Sequence, residues 1–231
     1  MKGRWLLLAP IGWLLAAPAG ATTLTYGSYS LPGAQIVTIT DTQDTSPAVN
    51  EEGYAGPIVL NDVNGNSSAT VTAWCVDIVD WLQTSGSYVL YNILPGTTGI
   101  PGDTGTPLAT VANEIGAIIQ NANAAIASDT TGNAPAALQM AIWELEYPNI
   151  QIVPQNSDLT SLAASYVTDV QNGTWVLTDG YQLGLLDGSA TGNQSLAFIS
   201  QVPEPASVAV LLFGLLGLGL VRFQKDAART A

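Results

Sequence analysis

Between Thr22 and Val221 the chain has no lysine, arginine or histidine; its five cations are Lys2, Arg4, Arg222, Lys225 and Arg229. The same span holds every acid except Asp226. Whatever this region folds into is anionic at neutral pH and repels nucleic acid and anionic lipid surfaces. It has no side chain for a Schiff base, a phosphate clamp or a histidine-based triad, which excludes most enzyme classes. A hydrolase working through carboxylates alone stays open, with Asp77/Asp80 and Glu144/Glu146 as its candidate pairs. Charges at those spacings also suit a solvated face, and the chain is read as a non-enzyme that needs no cofactor.

The cations sit where sorting segments are expected. Residues 1–21 run from Lys2 and Arg4 through the apolar stretch Trp5–Ala17 to Ala19-Gly20-Ala21. That order is a secretory signal peptide, with Thr22 as the expected mature start. At the other end, residues 203–231 comprise Pro203-Glu204-Pro205, an uncharged apolar segment from Ala206 to Val221, and the tail with Arg222, Lys225 and Arg229. As a helix the apolar segment rises about 24 Å, slightly short of a hydrocarbon core. Basic residues directly after it favour a transmembrane helix with a cytoplasmic tail.

Residues 22–202 form the remaining unit, long enough for one domain with a real core. Short β-type runs come first: TLTYGSYS, QIVTIT and YAGPIVL. Asn64-Gly65 marks a hairpin turn into a strand that carries Trp74 and Cys75 and is expected to run to about residue 80. SYVLYNIL is a further strand, and residues 94–107 read as a Gly/Pro/Thr loop. Thr106-Pro107 resembles a helix start, opening a helix to about residue 128. Pro135 opens a second helix and Pro148 closes it; a third runs from Ser157 to Gly173. TWVL, YQLGLL and QSLAFIS read as returning strands. The expected class is α+β, a mostly antiparallel β framework with about three helices inserted.

Cys75 is the one cysteine. An intramolecular disulfide is impossible, and without histidine neither a Cys–His nucleophile nor a usual zinc set can form. Asp62 opens a run like a calcium loop, but Ser67 and Ala73 stand where glycine and glutamate are needed, so no metal is assigned. A lone thiol is most often a small buried hydrophobe; an intermolecular disulfide is a second use. Lipid attachment needs a cysteine directly after the signal peptide. On the second helix Leu138, Ala141, Ile142 and Leu145 form a core stripe, with Gln139 at its edge and Ile142 and Trp143 one turn on.

Two resemblances add to this reading. Pro203-Glu204-Pro205, the apolar segment and the basic tail resemble the PEP-CTERM sorting signal, although the basic residues here are spread out. The resemblance implies export, a transient membrane anchor and processing by a membrane protease of the exosortase type. Trp74-Cys75-Val76 and Gln139-Met140-Ala141-Ile142-Trp143 resemble the strand and helix motifs of thioester domains. That resemblance implies an internal bond between Cys75 and Gln139, shielded by Ile142 and Trp143, and attachment to an amine- or hydroxyl-bearing surface or matrix polymer. A non-reactive structural or binding component of an extracellular polysaccharide matrix is the other reading.

Sorting is open to a direct check. Peptide mapping of exported material is expected to find an N-terminus near Thr22 and a C-terminus near Pro203–Pro205. An exported form that still ends in Arg229-Thr230-Ala231 contradicts it.

Overall fold

The computed structural model describes residues 22–41, 48–93 and 108–201. The signal segment, the Pro-Glu-Pro motif with its apolar segment, the loop 94–107 and Thr106-Pro107 lie outside the described residues. Among the described residues no helix is long and apolar enough to cross a membrane.

The α+β class holds: two antiparallel sheets and a small group of helices. One sheet has seven strands in the order β1 (Thr22–Tyr26), β7 (Gly86–Ile93), β9 (Tyr181–Asp187), β10 (Leu196–Gln201), β6 (Asn66–Cys75), β5 (Ile58–Val63) and β2 (Ser28–Ser30). The run TLTYGSYS, expected as a single strand, is therefore two. Its halves, joined by Gly27 alone, stand at opposite ends of the sheet order, so the sheet must roll up until its edges meet. The seam is hydrogen-bonded there: the Gly27 N–H donates to the Asn61 carbonyl at 3.0 Å and the Asn64 N–H to that of Thr25 at 2.9 Å. A Cβ on Gly27 would come within 3.0 Å of Asp62, which explains the glycine at the crossing. Asn64 and Gly65 both have positive φ, 53° and 74°, as the hairpin turn requires.

The second sheet has the order β4 (Val49–Ala55), β3 (Gln35–Asp41) and β8 (Gln151–Pro154). Here too a run expected to be continuous is divided: YAGPIVL breaks at Gly56-Pro57, and its halves serve different sheets. A Cβ on Gly56 would lie 2.7 Å from the Ala34 backbone, and Pro57 has no N–H to give a ladder. Strand β8 was not foreseen; QIVP is short and prolines flank it.

The helices are α1 (Leu108–Asn121), α2 (Asn123–Ser128), α3 (Asn133–Glu146) and α4 (Asp158–Gln171). The helix expected to run to residue 128 is interrupted only at Ala122, and its hydrogen bonds continue across the break. Asp129 organises the start of α3: its carboxylate accepts the Thr131 N–H and hydroxyl and, through Oδ2, the Ala134 N–H at 2.7 Å. Those bonds hold its carboxyl below the usual range. TWVL is not a strand. The Trp175 N–H donates to the Asp169 carbonyl on α4 and its ring tilts against Tyr166 at 5.1 Å, so this stretch packs on helices instead of a sheet.

Helix α3 lies at the centre, packed on α1 and α4 and touching β4 and β6. Twelve of its fourteen residues are buried, so it is enclosed on all sides where a single apolar stripe was expected. With no cation among the described residues, no ion pair contributes; the fold rests on apolar burial and hydrogen bonds.

The turn leading into β10 depends on Gly188. Its carbonyl accepts the N–H groups of Thr191 and Asn193, and a Cβ would meet the Asn193 carbonyl oxygen at 2.3 Å. We expect Gly188→Ala to cost about 1–3 kcal/mol, since backbone cannot yield as a side-chain tip would. Chemical denaturation beside Ser189→Ala checks it; equal stability of the two variants contradicts the close approach.

Candidate functional site

Cys75 is the last residue of β6, and the reason the strand stops lies two residues on. The Asp77 carboxylate accepts the N–H groups of Val79, at 2.8 Å, and Asp80, at 3.2 Å, folding the chain into a side-chain-capped turn. The strand expected to continue towards residue 80 therefore ends at Cys75, and strand alternation no longer governs Asp77. Of the Asp77/Asp80 pair, the first carboxylate caps the turn through Oδ1 and the second lies within that turn.

β6 is paired differently along its length. Asn66–Ala73 pair with β5, the last rung being Ile58↔Ala73, while Trp74 and Cys75 pair with β10. The Val76 N–H continues towards the β10 side, donating to the Ser195 carbonyl at 3.1 Å. Backbone groups alternate along a strand, so those of Cys75 point to the β5 side, one rung past the start of β5. Left bare and buried, they would cost about 1–3 kcal/mol each.

Gln139 fills that rung. The Cys75 N–H donates to Gln139 Oε1 at 2.9 Å, and Gln139 Nε2 donates to the Cys75 carbonyl at 2.8 Å. The side-chain amide thus takes the place of a neighbouring strand's peptide. Gln139 is fully buried, not at a helix edge. The amide carbon lies between two atoms that both hydrogen-bond to Cys75, which places it beside the residue carrying the thiol.

The thiol has its own partners. Trp143 Nε1 donates towards Cys75 Sγ at 3.4 Å, and Sγ–H donates to the Asp77 carbonyl at 2.9 Å. Gln194 Nε2 holds the same carbonyl at 2.9 Å, and the Tyr147 hydroxyl donates to that of Val76 at 3.3 Å. Burial pushes the Cys75 thiol well above its ordinary range; the Trp143 bond opposes this and the charge of Asp77 reinforces it. Trp143 and Cys75 both line a cleft of about 240 Å³, whereas Ile142, though fully buried, does not line it. Asp77, Tyr147, Gln194 and Ser195 could not be assigned from periodicity, because turns and loops bring them in. Among the described residues no cluster of metal-ligating side chains occurs.

Asp77 gives the site a pH dependence. Burial raises its carboxyl above the ordinary range, against the Val79 and Asp80 N–H bonds that lower it, and burial raises Glu144 too. An acid whose folded value is raised keeps its proton longer when folded. Its stabilising contribution is whole below the unfolded value and is lost as pH rises through the folded one. We therefore expect a higher melting temperature at about pH 5 than at about pH 7.5. Asp77→Asn, which keeps the carbonyl acceptor, is expected to flatten that difference, while the exposed Asp179→Asn removes the same charge and leaves it. A slope unchanged by Asp77→Asn contradicts the assignment.

No protein-family model and no curated protein matches the chain. Among solved structures it is similar to the N-terminal thioester domain of a surface protein from Clostridium perfringens, at 15% identity, TM-score 0.43, covering 78% of this chain and 100% of that one. A cysteine-to-alanine mutant of that domain aligns at 15% identity and TM-score 0.42, over 63% of this chain and 89% of that one. The N-terminal domain of the Streptococcus pyogenes pilus tip adhesin Cpa aligns at 14% identity and TM-score 0.43, over 77% of this chain and 98% of that one. At such distances the chemistry of Cys75 and Gln139 has to be argued from their own geometry.

Proposed function

We propose that this is an exported protein that forms an internal thioester between Cys75 and Gln139 and uses it to attach covalently to a nucleophile on a surface or matrix polymer. The observation that carries the reading is the double hydrogen bond between the Gln139 amide and the Cys75 main chain, with the thiol of the same residue held under Trp143. Sγ attacks the Gln139 amide carbon, the carbon–nitrogen bond breaks, and the amide nitrogen leaves as ammonia with the thiol proton. Negative charge developing on Oε1 faces the Cys75 N–H, an oxyanion donor already in place. Trp143 N–H stabilises the sulfur as it loses its proton.

Attachment reverses the roles. An amine or hydroxyl of the partner attacks the same carbon, forms an amide or ester to Gln139, and returns the proton to Cys75 as it leaves. A thiol whose pKa is raised by burial is a reluctant leaving group, which slows loss of the bond to water. No lysine lies between residues 22 and 221 to consume the bond from within. The signal segment, the Pro203-Glu204-Pro205 motif and the basic tail supply the route: export, an anchor through the C-terminal apolar segment, then exosortase-type processing to the cell surface or matrix.

A second reading also has an observation behind it. The two bonds of Gln139 satisfy Cys75 completely, so the amide can be a structural rung in a non-reactive matrix component. Reactivity separates the two. With the bond present, folded protein is expected to resist thiol alkylation, and methylamine is expected to add to Gln139 while freeing Cys75. Cys75→Ala and Gln139→Ala abolish the adduct, and Gln120→Ala leaves it intact. Gln139→Ala also destabilises by about 2–5 kcal/mol, as two buried backbone groups lose their partner. Trp143→Ala lets the bond form but hydrolyse faster. Stoichiometric alkylation of Cys75 in fresh, amine-free, folded protein favours the structural rung.

A further inference from the structure

The cleft above Cys75 has one wall of an unusual kind. Glu51, Glu52, Gly53 and Tyr54, four consecutive residues of β4, all line it. A strand that turned one face to a cleft would contribute alternate residues only. Consecutive residues mean that the cleft wraps around the edge of β4, and with Val49 of the same strand and Ile39 of β3 it also takes in part of one sheet face. Among the described residues β4 is hydrogen-bonded on one side alone, to β3, and so is an edge of its three-stranded sheet.

Asp80 and Trp81 line the cleft as well. Trp81 and Tyr54 are 62% and 61% exposed, the most exposed large aromatic side chains among the described residues. Three carboxylate residues line the cleft, and the domain has no cation with which to neutralise them. At about 240 Å³ the cleft falls below the ~300 Å³ where pockets for whole small ligands begin, so it suits a single side chain.

From this we infer that the partner is a basic polypeptide segment that docks in extended form along the free edge of β4 and passes a lysine through the cleft lined by Tyr54 and Trp81 to the Cys75–Gln139 site. The inference deepens the proposed attachment and rests on it for its covalent step. Strand addition supplies main-chain hydrogen bonds, and the side chains flanking the edge supply selectivity. Glu51, Glu52 and Asp80 favour a cationic segment, and an exposed aromatic ring favours an ammonium over its face. In the covalent step the deprotonated lysine amine attacks the Gln139 carbon, an amide forms, and Cys75 is released as the thiol.

Docking and bond formation can be read separately. The probe is a peptide of alternating lysine and threonine, titrated onto purified Cys75→Ala protein, which cannot form the bond. Binding is expected at low salt and is expected to weaken about tenfold or more when the peptide is N-methylated along one edge. Glu51→Gln/Glu52→Gln, both exposed, is expected to weaken it comparably and to reduce its salt dependence. With Cys75 intact, that double variant slows coupling of the lysine peptide by a larger factor than it slows reaction with hydroxylamine, which is neutral at neutral pH. Equal binding of methylated and parent peptides overturns the edge docking, as does binding of a neutral polysaccharide in place of the peptide. Binding retained with no hydroxylamine adduct upholds the docking and counts against the thioester alone.

Discussion

The structure turns on the rung that Gln139 supplies to Cys75. β5 cannot extend to cover the end of β6, because Pro57 and Gly56 precede it and the chain there is leaving for the second sheet. A helix side chain does the work instead, bonding both the N–H and the carbonyl of Cys75. This joins α3 to the rolled sheet at one fixed register and explains why a glutamine is tolerated in a fully buried helix. It also brings an amide carbon beside the residue that carries the thiol, at the wall of the cleft. Structure and chemistry therefore make the same demand on these two residues.

The absence of cations shapes everything around that rung. No described residue is a cation, so among the described residues a carboxylate is exposed, committed to a turn as Asp77 and Asp129 are, or buried. Burial without a countercharge raises the Asp77 carboxyl and, with the Asp77 charge beside it, the Cys75 thiol. A single histidine or lysine near Cys75 would change this balance: the thiol would ionise more readily, and a lysine amine would also compete for the bond. The same lack of cations leaves the cleft rim uncompensated, which selects what can approach it.

Much of the framework was legible from local signals. Asn64-Gly65 gives the hairpin that aims β6 at α3, and Pro148 and Gly173 end α3 and α4 close to where the structure ends them. What stayed hidden depended on contacts between distant residues. Gly27 gives no sign that the strands on its two sides close opposite edges of one sheet. Asp77 ends β6 through a local carboxylate turn that strand alternation does not describe. Periodicity puts Gln139 at the edge of a core stripe, since it cannot show that a sheet, two helices and a strand end enclose α3 from all sides. The association of Cys75 with Gln139 came from resemblance of two short motifs; no spacing rule relates residues 64 positions apart. The cleft wall was invisible for a similar reason, because β4 belongs to the other sheet.

The central claim concerns one covalent bond, and the intact mass of the purified, untreated protein tests it most directly. Formation of the Cys75–Gln139 thioester expels ammonia, so the account predicts a mass one ammonia below that calculated from the mature sequence, restored to the full calculated value in Cys75→Ala once the substitution is allowed for. A native protein at its full calculated mass, isolated without exposure to amines or alkali, would contradict the account and leave Gln139 as a structural rung alone.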